Sequence, residues 1–360
     1  MPGLLAHVFA ARGIGRFFSL SLFLLLCPVA GLANDPVTLS VERGSVQLRE
    51  QVQYLEDPAG KLRPREVLSD RHREDFRRSG PDNLNLGYTD SAYWLLFQVR
   101  HQSDTHERWL LELAYSPLQH IDVYRFDGAP GEAANSDAEP DHWRGGSALK
   151  VSKRPFRYRS HVFPLQFKPG THSTLLVRVD SNSSLNLPLA LHSAEAFARG
   201  VSTELIVIGL YIGIILGLVV YNLFIGAIVR EGTYFLYSAF IALTVFYFMA
   251  LNGTGQLYLW PDAQASANAM IMVAAAYAMF FGVLFSTRFL QSKQYLGVMH
   301  YWLLVLAGSA LSFGILALFL PYSILIPFFN LLGLVWSSSL TIAGLLGLKR
   351  RIPAARYYML

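Results

Sequence analysis

Beyond Thr203 the chain passes through five long apolar stretches, at about 204–228, 234–252, 267–286, 299–320 and 323–348. Each approaches the ~20 residues that carry an α-helix across a bilayer. Inside lipid every backbone amide must be satisfied within its own segment, so these stretches are expected to fold as membrane helices. The connecting segments set the orientation. Arg230, then Arg288 and Lys293, then Lys349, Arg350, Arg351 and Arg356 fall on alternate connections, whereas 252–268 and 320–323 hold no Lys or Arg. Cationic loops stay on the inner side, which puts the residues before the first helix outside. Tyr258, Trp260 and Tyr322 stand at the outer boundary, where amphipathic rings are favoured.

Between Asp35 and Arg199 the pattern is different. "YWLLFQVRH" (93–101), "RWLLELAY" (108–115), "HIDVYRFDG" (120–128), "RSHVFPLQF" (159–167), "STLLVRVDS" (173–181) and "LNLPLALHS" (185–193) are strand-length runs rich in Val, Leu, Phe, Tyr and Trp. With turns such as "KPGTH" and "SNSS" between them, they predict an all-β sandwich over 34–199. The stretch 127–147 is rich in Gly, Pro and Asp and reads as a long exposed hairpin loop. Trp94 and Trp109, flanked by leucines, read as core.

The first 33 residues read as a secretory signal: Arg12 and Arg16 precede the apolar run Phe17–Leu26, and Gly31-Leu32-Ala33 supplies a small-residue cleavage site. The single cysteine, Cys27, lies in this leader, so the mature chain must fold without disulfides or thiolate metal sites. Residues 201–360 hold seven basic side chains against Glu204, Glu231 and Asp262. Removing those seven, Arg12 and Arg16 from the thirty basic residues leaves 21 in 34–200, against 22 acidic ones. The outer domain is therefore near neutral, which excludes a nucleic-acid partner despite the net charge of +5.

Catalytic signatures are missing from the sequence: it has no GxxxxGK[ST], GxSxG, HExxH or GGDEF. "RHREDFRRS" (71–79) fits no metal-ligand spacing and reads as a solvated turn. Neither an enzyme nor a cofactor site is expected in these residues. Binding is more plausible, because sugar recognition combines aromatic faces with planar polar groups. In "RPFRYRSHVF" strand alternation puts Arg157, Arg159 and His161 on one face and Phe156, Tyr158 and Val162 on the other, with Trp143 in the preceding loop. These four, Trp143, Arg157, Arg159 and His161, are the candidate ligand site; a solvated outer face is the alternative. In the first helix Gly209, Gly213 and Gly217 recur every four residues and predict a helix-packing seam. Asn222 next to that stripe needs a polar partner, for packing or for a switching interface, and Asn330 and Ser337–Ser339 are its candidate counterparts. No Asp, Glu, Lys or Arg lies buried between the first and fifth helices, which argues against a proton-coupled transporter.

"YWLLFQVRHQSDTHERWLLELAYSPLQHIDVY", "RYRSHVFPLQFKPGTHSTLLVRVDSNSSLNLPLALHSAEAF" and "GLYIGIILGLVVYNLFIGAIVREGTYFLYSAF", followed by "FSTRFLQSK" and "ARYYML", resemble bacterial seven-transmembrane receptors with diverse intracellular signalling modules (7TMR-DISM), with their type-2 extracellular domain. The resemblance covers about residue 37 to the end. It implies a jelly-roll sandwich outside a bacterial inner membrane that binds a carbohydrate-like solute, and helices that carry the signal to a cytoplasmic output module. "PAARYYML" (353–360) reads as the start of a sixth helix, so the chain is expected to be cut within its membrane region. The expected partners are a periplasmic small molecule or saccharide, the lipid bilayer and a second copy in a homodimer. Two alternatives stand beside the receptor reading. These residues are the input half of a diguanylate cyclase or histidine kinase, or a membrane scaffold that assembles through the glycine seam. Ala196–Ser202 is the expected short connection from sandwich to first helix.

Overall fold

A computed structural model of the chain describes residues 36–39, 44–102, 107–262 and 267–359. The expected leader, with Arg12, Arg16 and Cys27, lies outside the described residues, as does Leu360. The first half forms strands β1 (Val37–Leu39), β2 (Ser45–Leu48), β3 (Gln53–Asp57), β4 (Arg77–Arg78), β5 (Leu84–Asn85), β6 (Ala92–His101), β7 (Glu107–Leu113), β8 (His120–Asp127), β9 (Asp141–Gly145), β10 (His161–Phe167), β11 (His172–Asp180), β12 (Asn186–Leu187) and β13 (Leu189–Ser193). The larger sheet runs β4-β3-β6-β11-β8-β9 with antiparallel neighbours, and β1 adds in parallel to the end of β6. The smaller antiparallel sheet runs β10-β7-β13-β2. β5 and β12 form a separate pair.

The two sheets face each other across a core of alternate residues. Leu95, Phe97 and Val99 of β6 and Leu175, Val177 and Val179 of β11 meet Trp109, Leu111 and Leu113 of β7 and Phe163, Leu165 and Phe167 of β10. β6 is apolar on both faces because its other face is also covered. Trp94 and Leu96 lie there under two short helices, α1 (Pro64–Leu68) and α2 (Pro130–Asn135). Trp94 and Trp109 are thus both core, on opposite faces. The Trp94 indole donates to the buried Asp57 carboxylate at 3.3 Å, which also accepts the amides of Lys61 and Leu62. The stretch 127–147 is not a free loop. It supplies α2, which buries Ala133, and edge strand β9, whose Trp143 packs on the inter-sheet core. Its polar composition reflects the exposed side of an edge strand.

The second half forms α3 (Ala194–Val229), α4 (Gly232–Leu251), α5 (Thr254–Tyr258), α6 (Ala267–Phe289), α7 (Ser292–Tyr295), α8 (Val298–Leu316), α9 (Tyr322–Lys349) and α10 (Pro353–Tyr358). Among the described residues α3, α4, α6, α8 and α9 are long and apolar enough to cross a membrane. The expected connection at 196–202 is instead the opening of α3. Ser193, the last residue of β13, caps the helix by accepting the Ala196 amide at 3.2 Å, so sheet passes into helix with no linker. Phe197 and Val201, one helical turn apart, pack on Leu110, Tyr158 and Val162 at the outer face of the smaller sheet. Half of the most apolar stretch of α6 is buried, but only 11% of that of α3, whose Leu205, Ile206, Val207 and Leu210 stand exposed. The segment expected to open a sixth helix forms α10, with Ala355 buried and the Tyr358 hydroxyl donating to Ser286 Oγ at 3.0 Å.

Candidate functional site

A cleft of about 480 Å³ lies along β10, the edge strand of the smaller sheet, beside β9, the edge strand of the larger one. Trp143 and Phe156 supply its aromatic surfaces, and Arg108, Arg125, Asp141 and Gln166 its polar groups. The Arg125 guanidinium is already engaged, donating to Asp141 (Nε, 2.9 Å) and to Asp127 (3.3 Å). Arg108 and Gln166 are exposed and available to a solute. An aromatic face beside a carboxylate, an amide and a free guanidinium can hold the CH face and hydroxyl rim of a sugar.

Of the four predicted ligand residues only Trp143 lines this cleft. The alternation assumed for 156–162 does not form: β10 begins at His161, and the residues from Arg154 to Ser160 bend, starting around Pro155, which lacks an amide hydrogen. Arg157 is exposed, Arg159 turns towards the membrane helices, and His161 is buried against the Ser116 carbonyl. Arg159 pairs with Glu204 of α3, and its Nη1 donates to the Asn252 carbonyl at the end of α4 (3.3 Å). The Tyr158 hydroxyl donates to the other Glu204 oxygen at 2.5 Å, and burial together with that carboxylate raises its pKa. Ser116 Oγ bridges the Arg159 and Asn252 carbonyls, 3.0 Å from each. Beyond it the buried Gln256 amide of α5 donates to the Ser147 carbonyl (2.7 Å), and the Val151 amide to that of Pro261 (3.2 Å). Behind this junction Ser160 Oγ donates to Glu112 (2.6 Å), with His192 Nε2 3.2 Å from the same carboxylate. Burial alone would raise the pKa of Glu112, but the His192 and Ser160 contacts and the nearby Arg159 charge outweigh it and hold it below the usual range.

His161 belongs to the same junction. Its Nε2 donates to the Ser116 carbonyl at 3.1 Å, and burial, reinforced by the Arg154 charge, pushes its pKa down from 6.5 to about 3. The folded state therefore keeps a neutral imidazole that the unfolded chain would protonate. Stability from this group is complete above pH 6.5 and falls as pH drops towards 3, at up to about 1.4 kcal/mol per pH unit. His161→Gln is expected to flatten the slope of sandwich stability between pH 6.5 and 5, read as chemical unfolding of the full chain by tryptophan fluorescence. An unchanged slope would mean that other groups carry the acid sensitivity.

Sequence reasoning missed Glu204, Ser116, Asn252 and Gln256. Glu204 carried a signal, since a carboxylate at the mouth of an apolar helix needs a partner. In the membrane half, Gly209, Gly213 and Gly217 pack against no described part of the chain: a Cβ at each would meet nothing within 4 Å. Asn222 bonds neither another helix nor the α9 polar residues. Its amide donates to the Leu218 carbonyl one turn back (2.7 Å), a local bond that relieves it of any interhelical partner. It lines a cavity of about 800 Å³ at the far end of the helices, with Glu231, Tyr234, Arg288 and Tyr358. Ser339 of α9 accepts instead from the Trp302 indole of α8 at 2.9 Å.

Two family models match the chain. One, 7TMR-DISM extracellular 2, covers residues 49–193, the sandwich from β3 to β13; the other, 7TM diverse intracellular signalling, covers residues 204–360, the helices from the third turn of α3 onwards. No curated protein matches it. The boundary between the two matches falls in the first turns of α3, where Phe197 and Val201 rest on the smaller sheet. The chain therefore belongs to the 7TMR-DISM family of multi-pass membrane receptors, with an extracellular sensor domain joined to a 7TM signalling domain.

Proposed function

We propose that this chain senses a carbohydrate-like solute in the periplasm and passes the signal through a bacterial inner membrane to a cytoplasmic output module. The observation that carries this reading is the double role of one short segment. Pro155 and Phe156 line the cleft, and Tyr158 and Arg159, a few residues on, hold α3 and the end of α4. Leu110 does the same from β7, lining the cleft on one side and touching the Phe197 cluster on the other. A solute that moves Phe156 thereby moves the grip on two membrane helices. It shifts their equilibrium only by the difference between its affinities for the two states, ~1.4 kcal/mol for each tenfold.

The direct test is titration of the full chain with glucose, maltose, glucuronate and galacturonate, read by tryptophan fluorescence. At least one sugar is expected to give a saturable change. Trp143→Ala should weaken that binding about tenfold or more, the scale of one lost aromatic platform. A flat response to every sugar would remove the carbohydrate reading and leave the sensor without a ligand class.

A further inference from the structure

The segment "KVSKRPFRYR" (150–159) carries five cations. Two are paired, Lys150 with Asp262 at 3.9 Å and Arg159 with Glu204. Lys153 and Arg157 are exposed with no ion pair among the described residues. Arg154 is the unusual one. Its side chain belongs to a residue only 9% exposed, and Nε and Nη2 are sealed from solvent with no acceptor among the described residues. Burial lowers its pKa to about 10, still far above neutrality, so the guanidinium remains charged. Leaving such a charge unpaired costs several kcal/mol, and an anion at Nη1, the nitrogen that is not sealed, would offset part of that cost.

The position indicates which anion. Val151 is bonded to Pro261 and Lys150 to Asp262, in the connection between the end of α4 at Leu251 and the start of α6 at Ala267. Arg159 and Tyr158 meet α3 at Glu204, immediately before the lipid-exposed Leu205, Ile206 and Val207. The free cations therefore stand at the level where the apolar surface of the helices begins, which is the headgroup level of the leaflet on the sensor side. Phe156 and Val201, half-buried beside them, offer apolar surface to a glycerol or upper acyl chain. We propose that Arg154, supported by Lys153 and Arg157, binds the phosphate of an anionic phospholipid in that leaflet. Clusters of Lys and Arg at a membrane surface attract anionic lipids with roughly 1 kcal/mol per residue, and the remaining guanidinium nitrogen, Nη1, adds a charge-assisted hydrogen bond to a phosphate oxygen.

The test uses the full chain in nanodiscs of phosphatidylcholine with and without phosphatidylglycerol, followed by detergent extraction and native mass spectrometry. The wild type is expected to retain phosphatidylglycerol in preference to phosphatidylcholine. Arg154→Gln should lower that retention about tenfold, and Lys153→Gln with Arg157→Gln about threefold. Arg73→Gln, on an exposed turn of the sandwich, should leave it unchanged. Thermal unfolding separates lipid binding from a purely structural role. In phosphatidylcholine alone Arg154→Met is expected to be at least as stable as wild type, because an unpaired buried charge is gone; with phosphatidylglycerol only the wild type should gain. Equal retention of the two lipids by the wild type would overturn the proposal. So would Arg154→Met unfolding earlier in both bilayers, or inorganic phosphate displacing phosphatidylglycerol, which would make the site one for soluble anions.

Discussion

Gly253→Val is expected to release the outer connection of the helix bundle from the sandwich. Gly253 holds φ +83, in the left-handed region that β-branched side chains avoid. A Cβ there would also overlap the Arg159 carbonyl and the Ser116 side chain. The first of these is backbone, so no rotamer change relieves it and the connection must move away. With it go Ser116 Oγ to the Asn252 carbonyl, Arg159 to the same carbonyl, and Gln256 to the Ser147 carbonyl. Backbone strain and lost hydrogen bonds together amount to on the order of 4 kcal/mol. Lys150→Cys with Asp262→Cys, introduced with Cys27→Ser, provides the readout, because the parent side chains lie 3.9 Å apart. A short bis-maleimide should join them readily in the parent, and more than tenfold less in the Gly253→Val background. Undiminished crosslinking would mean that the connection docks without the contacts at Gly253.

What the sequence disclosed and what it hid follow from the range of the interactions. The five helices were legible because burial in lipid is written into each run by itself, and the sandwich because strand alternation is local. The helix starts were less so. The apolar run beginning near 204 gave no sign that Ser193 caps the same helix, because the turns from 194 to 203 owe their order to Phe197 and Val201 resting on the sheet. The four candidate residues do not converge for a related reason. Period-two alternation does not reach back through Arg157 and Arg159, because Pro155 and the pull of Glu204 and Asn252 bend that segment. Residue types for sugar recognition are present, but Arg159 holds the membrane helices and the buried His161 bonds the Ser116 carbonyl, and the polar side chains of the cleft come from β7, β8, β9 and β10. Trp143 was recognisable as a lone tryptophan in a polar stretch. Arg108, Asp141 and Gln166 carried no such mark, because only tertiary pairing brings them beside it. Gly209, Gly213 and Gly217 show the converse: the spacing is plain, and the described chain puts nothing against it.

Reversing the charge at Glu204 is expected to be the strongest single perturbation of the junction from the helix side. Glu204→Lys removes the acceptor for Tyr158 and the partner of Arg159, and sets two cations against each other where the side chains are only 18% and 30% exposed. Allowing for that partial solvation, the loss is about 1–3 kcal/mol, seen as earlier thermal unfolding. Arg159→Glu alone should cost a similar amount. The double variant restores opposite charges and should recover part of both losses, which no pair of independent defects would do. Recovery stays partial because a carboxylate at 159 cannot donate to the Asn252 carbonyl. That asymmetry separates the two routes out of the sensor. Arg159 grips α3 through Glu204 and the end of α4 through Asn252, so its loss loosens both helices, whereas the loss of Glu204 loosens α3 alone. A larger crosslinking defect in Arg159→Glu than in Glu204→Lys would show that the sandwich acts on α4 as well as α3. Equal defects would place the whole of its grip on the helix that continues directly from β13.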